Sequence, residues 1–137
     1  MTYEELTLGH LIMKTVRPED LDIDKSLFSD KKHRLIFSEI QKSNGDLDVA
    51  ELSIRLKGKV SPVYISGLID GVPKSDARNV PRYINKIRVE RLRIESLRLI
   101  EKGAKSGNFD HDEIRLCMKK YQDWKHRPTE SLPFHLY

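Results

Sequence analysis

Apolar residues in this chain recur at three- and four-residue intervals rather than in alternation, and several of the runs open on a helix cap. Thr2 stands three residues before Glu5, the spacing at which a hydroxyl takes a backbone N–H and a carboxylate reaches back. Leu8, Leu11 and Ile12 follow on one face, Gly9 leaves room for a neighbouring helix, and Pro18 ends the segment. Residues 19–27 read as a short turn or a single helical turn. Ser29 is expected to cap the next helix, which carries Leu35, Ile36, Phe37 and Ile40. Asn44-Gly45, a pair suited to left-handed backbone angles, should stop it.

Asp48 with Glu51 and Asp110 with Glu113 repeat the capping spacing, with Leu47 and Phe109 placed to staple onto Leu52 and Ile114. Gly58 should close a helix over 49–57. Ser61-Pro62 should open one running to Ile69, before Asp70-Gly71-Val72-Pro73 breaks the chain. Beyond Pro81 no Gly or Pro intervenes until Gly103, which predicts a helix from Asn79 to about Lys102, roughly 35 Å long. A loop over 103–108 and a second helix from Asp110 to about Trp124 follow, and so short a connection favours antiparallel neighbours. The fold class is therefore all-α. A small globular helical bundle over 1–78 precedes an antiparallel helical hairpin over 79–124, and 125–137 reads as a linker or tail.

The faces of the hairpin change the picture. On a wheel of about 100° per residue, Val80, Tyr83, Ile84, Ile87, Ile94 and Leu97 form one stripe, which Ile114, Cys117, Met118 and Tyr121 of the second helix could cover. Leu92 and Leu99 fall nearly opposite, with Val89 and Ile100 between. Two helices cannot bury both stripes: either the globular bundle of the same chain packs on the second, or Val89, Leu92, Leu99 and Ile100 form the interface with another chain, a homo-oligomer through the hairpin or a protein partner.

Charge gathers in the same place. The 25 Lys and Arg exceed the 21 Asp and Glu by four, and residues 81–105 alone carry a net +5, leaving −1 elsewhere. Arg88, Arg91, Arg93 and Arg98 are thus candidate contacts for an acidic partner or a nucleic-acid backbone. Pairs such as Lys86–Glu90 and Arg91–Glu95 would alternatively make a solvated face.

Other chemistry is sparse. Asp20, Asp22 and Asp24 mimic a calcium loop, but Lys25 replaces its glycine and Lys31 its bidentate glutamate. The five histidines lack zinc spacing, so no metal or cofactor is expected. His33, on an apolar face, reads as a hydrogen-bonded packing residue. Cys117 reads as a small hydrophobe, and as the single cysteine it forms no intrachain disulfide. Residues 49–65 resemble a helix-turn-helix, yet 62–72 hold no Lys or Arg to reach phosphates or base edges. No nucleophile with its base is visible, no run approaches a membrane span, and a cytoplasmic, non-enzymatic chain is expected.

The order of segments supplies a resemblance. Leu8-Gly9, Leu27-Phe28 with His33-Arg34-Leu35-Ile36-Phe37 and Ile40, then Asp48-Val49 with Leu52 and Leu56, resemble the N-terminal domain of bacterial DnaB-type replicative DNA helicases. Val72-Pro73 followed by Asn79, Tyr83, Ile87 and Arg91 continues the likeness, which spans about residues 5–122. The resemblance implies a bundle-plus-hairpin collar that assembles a hexameric ring and docks primase or a helicase loader. DNA and ATP would be handled by a separate motor domain of the parent protein. The family's Gly-Gly stretch is shortened here to Lys59-Val60-Ser61-Pro62. The helicase-binding domain of primases shares the architecture and is an alternative, as is a nucleic-acid-binding module using the basic hairpin.

Overall fold

In the computed structural model, which describes residues 1–126, six α-helices follow one another without a strand among the described residues. They are α1 (Tyr3–Ile12), α2 (Lys31–Lys42), α3 (Val49–Arg55), α4 (Pro62–Asp70), α5 (Val80–Ser106) and α6 (His111–Lys125). Short 3-10 turns at Pro18–Asp20, Lys25–Leu27 and Lys74–Asn79 join them. The chain divides into two compact units inside α5: the first comprises Met1–Ile84 and the second begins at Asn85, where the sequence had suggested 78/79. Of the expected tail, Lys125 completes α6 and His126 is its C-cap, while 127–137 lie outside the described residues.

Local chemistry accounts for most of the helix starts. Thr2 and Glu5 form a complete capping box on α1. Asp48 and Asp110 accept the backbone N–H of Glu51 (2.7 Å) and Glu113 (3.0 Å), and the Glu51 side chain turns forward to Arg55 at 3.3 Å. Ser61 caps α4 with Pro62 in its first turn. The cap of α2 is Asp30, bonded to the Lys32 N–H at 2.8 Å, rather than Ser29. Ser29 instead gives both its N–H and its hydroxyl to Glu4. Asn44 and Gly45 both take positive φ past the end of α2, as their composition indicates.

In the first unit, α1 packs on α2 and α4, around a core of Leu8, Leu11, Ile36, Phe37, Leu52 and Ile65. The Phe28 and Phe37 rings lie 5.3 Å apart. Gly9 sets the α1–α4 approach: a Cβ there would come within 2.5 Å of the Leu68 carbonyl oxygen and of Val72 Cγ2.

The second unit departs from expectation at the turn of the hairpin. α5 does not stop at Lys102 but runs through Ser106 to Gly107, with Gly103 inside it. The Phe109 ring covers Gly103 so closely that a Cβ would stand 2.2 Å from Phe109 Cδ1. A glycine that reads as a turn signal is thus a seat for an aromatic ring, and the helix survives its weak propensity because packing compensates.

Candidate assembly surface of the hairpin

Polar groups in the first unit form its most chemically dense cluster. His33 Nδ1 meets Glu4 Oε1 at 2.9 Å, His33 Nε2 meets the Tyr64 hydroxyl at 2.6 Å, and that hydroxyl reaches Glu5 Oε2 at 3.0 Å. One chain of hydrogen bonds therefore ties α1, α2 and α4 together. Burial alone would raise the Glu4 carboxyl, but hydrogen bonds from His33 and Ser29 outweigh it and hold the group below its ordinary value. Glu5 is lowered chiefly by the Thr2 N–H, and Tyr64 is raised by burial and by its bond to Glu5. His33 is the hydrogen-bonded packing residue that its apolar face suggests.

Beside it, fully buried His10 shares a 2.8 Å contact with Thr15 Oγ1. The Thr15 hydroxyl donates to the His10 carbonyl, so it accepts from Nδ1–H, and the ring's Nε2 is left without a partner. Burial lowers this histidine, and the charge of Asp76 offsets part of that. Asp76 itself accepts from Asn79 and from the Tyr83 hydroxyl, bonds that outweigh its desolvation, and burial with the Asp76 bond pushes Tyr83 up to about 12. All these bonds close within the unit, and among the described residues no group of His, Cys, Asp or Glu could hold a metal ion.

The hairpin is built on a different principle. Ser96 Oγ donates to Cys117 Sγ at 3.2 Å, Asn85 Nδ2 donates to the Trp124 carbonyl at 3.4 Å, and Arg88 lies over the Trp124 ring at 4.8 Å. These contacts set α5 and α6 antiparallel and identify the seam. Along α5 it runs through Asn85, Val89, Leu92, Ser96, Leu99 and Gly103, alternating four and three residues as a coiled coil does, and Ile114, Cys117, Tyr121 and Trp124 answer from α6.

This corrects the expected pairing. α6 lies on the side of Leu92 and Leu99, not on the stripe ending in Ile94 and Leu97. Leu92, Val89 and Leu99 are half-buried, and of the four expected interface residues Ile100, 41% exposed, is the most open to solvent. Val80, Ile84 and Ile87 are buried, whereas Ile94 and Leu97 are 53% and 52% exposed.

The arginines are also placed differently. Arg93 pairs with Glu90 at 2.5 Å and Arg98 with Glu95 at 2.6 Å, three residues away rather than four, while Lys105 takes Glu101 at 3.1 Å. Arg88 rests on Trp124 and Arg91 is exposed. Arg93 and Arg98 are five residues apart, about 140° around α5, so they lie on different flanks of that helix. Leu97 and Ile100 follow Arg93 by one and two turns, and Met118 on α6 is 46% exposed. One flank of α5 therefore carries Leu97 and Ile100; the other carries Arg98 and Lys102. Polar Ser96 and Asn85, and side-chain-free Gly103, are what an apolar wheel overlooks. The 3.5-residue period was the signal that could have found them.

Comparison of the chain with protein-family models, with curated proteins and with solved structures finds no match. Among the described residues no helix is long and apolar enough to cross a membrane.

Proposed function

We propose that the chain is a non-catalytic assembly and docking domain of the DnaB-type replicative helicase class. In this reading the hairpin joins copies of the chain into a ring and presents a collar to primase or a helicase loader, while ATP and DNA belong to the motor of the parent protein. The observation that supports it is the surplus of Ile94, Leu97, Ile100 and Met118 on a hairpin whose two helices already pair through Ser96 and Cys117. Fully burying such a side chain contributes about 1.5–3 kcal/mol, so a few of them suffice for association. Direct nucleic-acid binding is less favoured because Arg93, Arg98 and Lys105 already hold carboxylates.

The test is sedimentation of the wild-type chain beside an Ile94→Asp/Ile100→Asp double variant, with helicity followed by circular dichroism. Weaker association at unchanged helicity is expected. An oligomer indifferent to both substitutions would remove the hairpin from assembly. Pull-downs against primase and against helicase distinguish a helicase collar, which retains primase, from a primase-type domain, which retains helicase.

A further inference from the structure

The protons available to the chain Glu4–His33–Tyr64–Glu5 fix the direction of its hydrogen bonds. The Tyr64 hydroxyl owns a single proton and gives it to Glu5 Oε2 at 3.0 Å. Its oxygen, 2.6 Å from His33 Nε2, must therefore accept, and Nε2 must carry hydrogen. At the other end Glu4 Oε1 lies 2.9 Å from His33 Nδ1. A carboxylate only accepts, so Nδ1 must carry hydrogen as well. Each carboxylate has further donors: Glu4 Oε2 takes the Ser29 N–H at 3.2 Å and its hydroxyl at 2.7 Å, and Glu5 Oε1 takes the Thr2 N–H at 3.0 Å. Both carboxyls are held below their ordinary value and stay ionised near neutrality. A neutral imidazole has one N–H and could close only two of the three links.

We propose that His33 is an imidazolium in the folded chain, and that its second ring proton is a pH-sensitive clasp that lets one tyrosine hydroxyl fasten α4 to α2 and α1 at once. This is independent of the hairpin and of how the chain assembles. The His33 side chain is 6% exposed and that of Glu4 14%, so water does little to replace a lost partner. The charged groups around the ring are Glu4 and Glu5 from α1, with Asp30, Lys32 and Arg34 at the start of α2. α4 offers Tyr64 and no charged residue before Asp70. Arg34 is turned to the Phe28 and Ser29 carbonyls, and Lys32 lies over the Tyr64 ring at 5.4 Å. Within the hydrogen-bonded chain itself, two carboxylates thus share one cation, an arrangement that favours the charged ring. When that proton leaves, Tyr64 must choose between His33 and Glu5, and either choice releases α4 from one of its two neighbours at this point. Above neutrality the folded chain holds a proton that the unfolded chain has given up, so stability declines as pH rises.

The test is nitrogen-15 NMR of the imidazole rings in the full chain at about pH 7.5, where a free histidine is mostly neutral. His33, assigned by the signal missing from His33→Gln, should show both nitrogens protonated. In Tyr64→Phe and in Glu4→Gln the second proton should leave at lower pH than in the wild type. The thermal midpoint of the wild type should fall between about pH 7 and about pH 9, and Tyr64→Phe should shrink that fall by about half or more. A wild-type ring with a single N–H would overturn the proposal, and that result needs no variant to fold. Variants that lose the second proton at the same pH as the wild type would overturn it too, because the proton would then owe nothing to the tyrosine or the carboxylate.

Discussion

The two units spend the same kinds of residue in opposite ways. The first unit, Met1–Ile84, buries most of its aliphatic side chains, with Ile54 and Val63 left as isolated exposed ones, and links its polar ones in closed chains, Glu4–His33–Tyr64–Glu5 among them. Its Lys and Arg number 13 against 13 Asp and Glu. The hairpin, from Asn85 to His126, holds eleven against seven, so it carries the whole net charge, and it leaves Ile94, Leu97, Leu116 and Met118 about half exposed. The apolar surface left on the hairpin is what the assembly proposed above requires, a face whose burial another chain completes.

Substitutions can break that contrast. The largest effect is expected inside the bundle: Phe37→Ala should cost about 3–5 kcal/mol in denaturant unfolding, because Phe37 is fully buried. Next comes the hairpin seam, where Leu99→Asp should cost about 2 kcal/mol and reduce helical circular dichroism. The same substitution at Leu97, on the outer ridge, should leave the helical signal intact. Equal loss of helix from Leu97→Asp and Leu99→Asp would erase the distinction between seam and ridge.

Acid should act on the bundle in two stages. Burial keeps folded His10 below its ordinary value of 6.5, so as pH falls through that value the unfolded chain takes up a proton that the folded one refuses, and stability declines. Glu4 and Glu5 act later. Their folded values lie below the ordinary 4.5, so their contribution is complete above that pH and disappears as pH falls through the folded values. Thermal unfolding against pH should show both stages, and His10→Gln should remove the first while sparing the second. Smallest of all, Arg98→Ala should leave the thermal midpoint unchanged within error, since its pair with Glu95 is exposed.

The fold was legible where a residue's own chemistry dictates the backbone. Thr2, Asp48, Ser61 and Asp110 cap the helices that their spacing announces, and Gly9 marks a real close approach. Legibility failed where a tertiary partner decides. Ser29 lost the α2 cap because Glu4 claims it, and Gly103 stayed helical because Phe109 covers it. The seam was misassigned for a related reason. Two of the α5 positions that touch α6 are Ser96 and Asn85, which hydrophobicity does not weight, whereas Ile94 and Leu97 advertise burial that this chain does not supply. The His33 cluster joins residues 29 and 31 positions apart, beyond any local spacing rule.

The most direct measurement is the sedimentation behaviour of the unmodified chain as its concentration is raised at physiological ionic strength. A hairpin with a surplus apolar ridge should shift from monomer toward a larger species over that range. A chain that stays monomeric to the limit of its solubility would contradict the account.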